Sequence, residues 1–558
     1  MIRLLHLSIL IAFAASSAFA NQDGRISLES FKKKPKLVVV VVIDQCRSDF
    51  LTRFANRMAS QKSGGLSYFM KQGAYFPFAK YDILQSMTCP GHATILTGAY
   101  PSQMGIPLNE WYDASKKSDV YCAEDASSAI VGRNAKPEEG MSPRRLMQST
   151  VGDELKIAGY KSKVVSIALK DRAAIMMGGH RADLALWSED GKWVSSKFYL
   201  PQGELPSWVR NLNAALEKEK GSVFKWKIAG THSGLTQSNS ASTTEAASGP
   251  APLLLQTVAG SKDSFSTEYG VEITTAAAIR ALKEMKLGQS KGPGTGPDIL
   301  AISYSSHDML GHDHGLQSDL MEELTLFEDE SIGKLIGEIE KSVGLKNVLF
   351  AFTGDHGVAP AVSVIEKQNM PAGNLDTPSL LKEANMELEK KFGKSAKGAW
   401  VLRAKSYNFY LDPEVVLDQK KSRRDVEAEL KRVLLRTTKS GEATREGVAA
   451  VFTRSEWEEN LLPYGRFERQ IKKTFIPGKS GDVVLIPKPF WVDRTAVATH
   501  VTGYEYDRSV PLIIVGGGAK PGVYAKEVEV VDLAPTLSFI LGLVAPSGSD
   551  GRVLHEIF

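Results

Sequence analysis

Five short runs of this chain are nearly continuous in apolar residues: LVVVVVI (Leu37–Ile43), KVVSIAL (Lys163–Leu169), ILAISYS (Ile299–Ser305), VLFAFTG (Val348–Gly354) and PLIIVGGG (Pro511–Gly518). A strand with one wet face alternates polar and apolar residues. Runs like these instead read as strands buried on both faces, the kind found in parallel sheets covered by helices. Amphipathic helical patterns lie between them, as at Asp319–Ser342 and Arg424–Leu435. The alternation predicts an α/β fold: a doubly wound, mostly parallel sheet with helices on both faces. At 558 residues and 43% hydrophobic content, the chain has the material for one such domain with insertions.

Residues 1–20, MIRLLHLSILIAFAASSAFA, read as a secretory signal. Arg3 gives the positive start, Ile9–Ala15 the apolar middle and Ala18-Phe19-Ala20 the small-x-small cleavage site. The apolar stretch falls short of the ~20 residues that a membrane span needs, and no Cys follows the site to carry a lipid. Cleavage after Ala20 is expected, leaving a periplasmic or secreted protein with no membrane anchor in the mature chain. Residues 21–558 then form one α/β domain, with insertions at about 185–290 and 367–490 and a monomeric state expected. Ser233–Pro252 is polar and low in complexity, a loop rather than an element, and Gly288–Pro297 is a Gly/Pro linker. The net charge of +4, with Lys and Arg spread along the chain, gives no basis for binding a nucleic-acid duplex. Three cysteines in an oxidising compartment suggest one bridge and one free thiol. Cys89 with Cys122 is the preferred pair, because Cys46 follows a buried strand and packs as a small apolar residue.

Chemistry gathers at the ends of the apolar runs. Asp44 directly follows the first, Asp308 follows ILAISYSSH with His312 four residues on, and Asp355 and His356 follow VLFAFTG. Carboxylates and imidazoles at the carboxyl ends of parallel strands converge in one crevice. Asp and His without Cys suit zinc or another divalent transition metal, and the Asp308/His312 spacing sets both on one side of a helical turn. Each Asp taken alone is equally a turn or helix-cap residue, and His307 and His314 compete as ligands. Thr88, in QSMTCPGHATILTG (Gln85–Gly98), stands at the start of a helix whose first turn suits Pro90 and whose end suits Gly98. A hydroxyl there lies beside free N–H groups and the positive end of the helix dipole, a good place for an alkoxide and an anionic substrate. The competing reading makes Thr88 the N-cap itself.

Taken in order, VVIDQCRSD, TCPGHATILTGAYPSQMGI, HDMLGHDHG, TGDHG and ATHVTGYEYDRSVPLII resemble motifs of the alkaline phosphatase superfamily. The closer likeness is to its nucleotide pyrophosphatase/phosphodiesterase branch, and closest to the PafA-type alkaline phosphatases. The resemblance implies two Zn2+ per chain and a threonine nucleophile. Asp308, His312 and His500 match the ligands of one zinc; Asp44, Asp355 and His356 match those of the other, which also holds the Thr88 oxygen. His500 rests on the late motif alone, where His-Val-Thr-Gly departs from the more usual His-Gly. Asn109 matches the family Asn that contacts a phosphoryl oxygen, and Lys170 and Arg172 match the paired cations of the monoesterases. As i and i+2 of an extended segment, these two would point the same way while Asp171 points elsewhere. His92 is expected to pack or to orient a ligand.

The resemblance therefore implies an exported alkaline phosphatase that hydrolyses small-molecule phosphate monoesters through a phospho-threonine intermediate and releases inorganic phosphate. A phosphodiesterase or nucleotide pyrophosphatase on the same bimetal site is the alternative. A non-catalytic exported metal- or anion-binding protein is a further one, opposed by the intact Thr88.

Overall fold

The structure, a computed structural model, describes residues 34–558 apart from 61–63, 137, 228–253, 437–445 and 494–496. The expected signal segment and the Ser233–Pro252 loop lie outside the described residues. In chain order, the elements that build the site are β1 (Leu37–Ile43), β2 (Ala74–Lys80), α1 (Thr88–Thr97), β3 (Val164–Ala168), α2 (Asp171–Gly178), β4 (Leu184–Glu189), α3 (Glu268–Glu284), β5 (Asp298–Tyr304), α4 (Ser306–His314), α5 (Asp319–Ser342), β6 (Val348–Gly354), β7 (Ser509–Val515) and α6 (Leu533–Leu541).

A 12-stranded sheet runs through the molecule. Its middle, in the order β6-β1-β5-β3-β4, is parallel throughout. The expected fold class holds, and β1 shows why its run of valines is unbroken. Its odd residues Val39 and Val41 pack in one apolar cluster with Ala277 and Ala281 of α3 and Ile332 and Leu335 of α5. Its even residues Val38, Val40 and Val42 pack in another with Ile95 and Leu96 of α1 and Leu537 and Ile540 of α6. Each side chain so buried contributes roughly 1.5–3 kcal/mol, so a polar residue on either face of β1 is selected against.

The apolar run at Pro511–Gly518 behaves differently from the other four. As β7 it pairs antiparallel with both β6 and β2. Its residues are buried as a parallel strand's would be, because unbroken apolarity reports coverage of both faces and carries no information on direction. The span 185–290 enters the sheet through β4 and covers it with α3. The span 367–490 carries a four-stranded sheet (Val401–Lys405, Asn408–Leu411, Val483–Pro487 and Val448–Thr453) with its own apolar cluster around Trp400, Phe409 and Leu485. Among the described residues no helix is long and apolar enough to cross a membrane.

Candidate active site

The register brings the site together. Ile43 lies opposite both Tyr304 and Gly354, and Ala168 lies opposite Ser303. Asp44, Ser305, Asp355 and Leu169 therefore leave the sheet at one level, on the carboxyl edge where open α/β sheets bind their ligands. Because β7 runs the other way, the segment ahead of it, His500–Arg508, arrives at the same edge. Asp44, Asp355 and His356 are fully buried there, with Asp308 and His500 nearly so.

Three histidines present the same face to this crevice. His312 Nδ1 donates to Ala498 O at 2.9 Å, His356 Nδ1 to Gly357 O at 2.9 Å and His500 Nδ1 to Ser86 O at 2.7 Å. A carbonyl only accepts, so each ring carries its proton on Nδ1 and offers the Nε2 lone pair, the orientation that metal-bound histidines take. Those Nε2 atoms face carboxylates. His312 lies 3.3 Å and His500 3.6 Å from Asp308 Oδ1, and His356 lies 3.4 Å from both Asp44 Oδ1 and Asp355 Oδ2. Asp44 Oδ1, Asp355 Oδ2 and His356 Nε2 are buried without a hydrogen-bond partner. An unsatisfied buried acceptor is unfavourable by about 1–3 kcal/mol, and one divalent cation would satisfy all three. The residues fit a metal of the zinc type.

The donor atoms form two groups: Asp308, His312 and His500, and Asp44, Asp308 and His356, with the donors of each within 4.8 Å of one another. Asp308 thus stands in both, whereas Asp355, expected in the second, is in neither, its Oδ2 lying 3.4 Å from His356 Nε2. His307 and His314 belong to neither group. His307 is buried edge-on against Phe50, where burial lowers its pKa to about 4, and His314 is exposed.

The charges differ in kind. Burial, with Asp355 adding to it, pushes the Asp44 carboxyl well above its ordinary value. Burial also raises Asp308, but Lys170 and His312 outweigh it and hold that carboxyl well below the ordinary range. Burial lowers His356 and, with His356 as a neighbour, His500, which keeps both rings in the neutral form that binds metal.

Thr88 is the first residue of α1; the preceding Met87 takes the cap position. Its hydroxyl is therefore free of the capping role and lies 3.4 Å from Arg172 Nη2. The first turn is tied down by Asn109, whose Oδ1 accepts from Cys89 N at 2.7 Å, spending the carbonyl end of that amide. Gly98 ends the helix in the left-handed conformation, as the sequence suggests. Cys89 and Cys122 form the disulfide and Cys46 is the buried free thiol, in keeping with the preferred pairing.

Lys170 and Arg172 both reach the crevice, but not from an extended segment. Lys170 is the N-cap of α2 and Arg172 its second residue, because the β3 strand ends in a turn directly into helix. Lys170 Nζ lies 2.5 Å from Asp44 Oδ2 and 2.5 Å from Asp308 Oδ2, while Asp171 turns away to accept from Tyr121 OH at 2.6 Å. His92 lies beneath: Nδ1 donates to Thr88 O at 2.9 Å and lies 3.1 Å from Asp355 Oδ2, and Nε2 meets Ser303 Oγ at 2.8 Å. This ring ties the start of α1 to β5 and to Asp355.

Nothing in the local sequence marks Gln45 as part of the site. Held at φ 66°, it donates from its backbone N to Asp355 Oδ1 at 2.9 Å and from Nε2 to Asp308 Oδ1 at 2.7 Å. Its amide fills the space over Gly311, where an added Cβ would lie 1.9 Å from Gln45 Oε1. Gly91 is constrained in the same way, since its Cβ would lie 2.3 Å from the backbone O of Asp355.

The chain is similar to known proteins over nearly its whole length. Residues 38–499 match the family model described as type I phosphodiesterase / nucleotide pyrophosphatase. The alkaline phosphatase PhoV of Synechococcus elongatus is 31% identical over 100% of this chain and 99% of its own. The alkaline phosphatase PafA of Elizabethkingia meningoseptica is 30% identical over 94% of each chain. The crystal structure of wild-type PafA superposes with a TM-score of 0.81, at 28% identity, over 94% of this chain and 99% of that one.

Proposed function

The chain belongs to the type I phosphodiesterase/nucleotide pyrophosphatase family and is a phosphatase that hydrolyses phosphate esters, and from that premise we propose that it is an exported, two-zinc alkaline phosphatase specific for monoesters. The observation that carries the reading is the Thr88 hydroxyl. It is buried at the start of a helix, free of the capping role, within reach of Arg172 and on the same sheet edge as the Asp and His donors.

Asp308, His312 and His500 would hold one metal ion, and Asp44, Asp355 and His356, with the Thr88 oxygen, the other. Metal ions bound there would supply Lewis acidity toward the attacking and leaving oxygens. The chain itself does the rest. Thr88 attacks phosphorus in line, the leaving alkoxide departs, and a water then hydrolyses the phospho-threonine to regenerate the hydroxyl and release phosphate. The positive end of the α1 dipole faces the negative charge that builds there. Asn109, Lys170 and Arg172 bind the non-bridging oxygens, which stay charged throughout the transfer. The substrates are small phosphate monoesters, met by a monomer outside the cytoplasm.

The family's description keeps the phosphodiesterase reading in view; the paired cations Lys170 and Arg172 favour the monoester, since a diester carries one charge fewer and covers an oxygen with its second group. Turnover of p-nitrophenyl phosphate against bis-p-nitrophenyl phosphate, each with and without chelator, tests both points. Preference for the monoester, lost on chelation and restored by zinc better than by magnesium, is expected. Full activity after long chelation sinks the metal, and a diester preference sinks the monoesterase.

A further inference from the structure

Arg172 is held as well as placed. The hairpin that follows Asn109 pairs Glu110–Asp113 with Ser118–Tyr121, so that Tyr121 lies opposite Glu110. The next residue, Cys122, donates its backbone N to Asn109 O at 2.9 Å and is bonded through sulfur to Cys89, adjacent to the nucleophile. The end of this hairpin is therefore tethered to the start of α1 by a covalent bond and by Asn109. From that fixed point the Tyr121 phenol reaches across to the first turn of α2, donating to Asp171 Oδ1 at 2.6 Å, next to Arg172 in the chain. Asp171 is locked in turn by the backbone N of Arg172, at 2.6 Å. The guanidinium emerges from this bracket pointing at Thr88 Oγ1, with its Nε unpartnered.

We propose that Tyr121 is a positioning residue that aims Arg172 at the phosphoryl group, with the Cys89–Cys122 bridge as the anchor of its hairpin. Tyr121 acts through Arg172 and does not touch the reacting atoms. The proposal rests on Arg172 binding a phosphoryl oxygen, as in the reading above. An arginine has many rotamers, and its planar fork rewards alignment more than mere proximity. Without the phenol hydroxyl, Asp171 is released from the hairpin, the start of α2 loosens, and the Arg172 guanidinium carried there spends part of its time away from the substrate.

The test is a double-mutant cycle on the metal-loaded enzyme with Tyr121→Phe and Arg172→Ala. Phe keeps the ring and so the packing, and thermal unfolding with metal analysis checks fold and loading. Tyr121→Phe is expected to lower kcat/KM for p-nitrophenyl phosphate roughly ten-fold and to weaken inhibition by inorganic phosphate to a similar degree, the scale on which orienting hydrogen bonds act. Metal content should not change. In the Arg172→Ala background the same change should have almost no effect. An equal loss in both backgrounds, a loss of metal, or a wild-type rate in Tyr121→Phe overturns the proposal. A wild-type rate in Arg172→Ala overturns the phosphate-binding reading itself, and is told apart because it appears in the single Arg172 variant.

Discussion

Gly311→Ala sets two effects of known size against each other. Gly311 lies inside α4, where Ala is favoured over Gly by ~1 kcal/mol, so the substitution should stabilise the helix if nothing stood in the way. The added Cβ would lie 1.9 Å from Gln45 Oε1 and 3.0 Å from its Cδ. Gln45 has no easy retreat, since its backbone sits at φ 66° and its N is bonded to Asp355. The amide must swing away and give up its 2.7 Å bond to Asp308. A hydrogen bond to a charged group is worth about 1.5–3 kcal/mol. If the whole of that falls on the placement of Asp308, metal affinity drops by roughly ten- to a hundred-fold, at ~1.36 kcal/mol per decade. The assay is zinc affinity by competition with a chelating dye, alongside the unfolding temperature of the metal-free protein. Weaker zinc binding is expected, with the helix gain offsetting only part of the lost hydrogen bond in the metal-free protein, and Gln45→Ala should bind zinc equally weakly with or without the Gly311 change. Wild-type zinc affinity in Gly311→Ala would refute the reasoning.

The double variant Lys170→Ala/Arg172→Ala should lose monoester kcat/KM by ten- to a hundred-fold or more and lose diester kcat/KM far less, on about 1.5–3 kcal/mol per charged contact; equal losses contradict it. Removing the disulfide with Cys89→Ala/Cys122→Ala frees a separation of 33 residues and should lower the unfolding free energy by ~3–4 kcal/mol by loop entropy. Guanidinium unfolding with unchanged stability would count against it. Glu328, in α5, is fully buried with both oxygens unpartnered, and burial raises its carboxyl well above the ordinary value. The folded chain keeps a proton that the unfolded chain releases above about pH 4.3, so stability falls as pH rises from there toward the folded value, by up to ~1.4 kcal/mol per pH unit. Glu328→Gln removes that slope, so its gain in unfolding temperature should be larger at about pH 8 than at about pH 5, and an equal gain at both contradicts it.

What the sequence makes legible is what repeats or stays local. The valines of β1 announce two covered faces, and the four-residue step from Asp308 to His312 is visible because a helix turns it into one face. His500 carries no such signal. It reaches the site only because β7 runs antiparallel to β6, and direction is not written in a run of apolar residues. Gln45 is hidden for a similar reason, since its role comes from a left-handed backbone that turns both its N–H groups onto carboxylates. Lys170 and Arg172 by themselves read as a solvated charge pair and stand out only through the resemblance, because the turn from β3 into α2 that carries both into the crevice depends on contacts across the fold.

The central claim, that Thr88 is the nucleophile, is tested most directly by quenching the zinc-loaded enzyme in acid during turnover of p-nitrophenyl phosphate and locating phosphate on its peptides by mass spectrometry. Phosphate is expected on Thr88, absent from Thr88→Ala and absent without substrate. Phosphate on another side chain, or rapid turnover by Thr88→Ala, would contradict it.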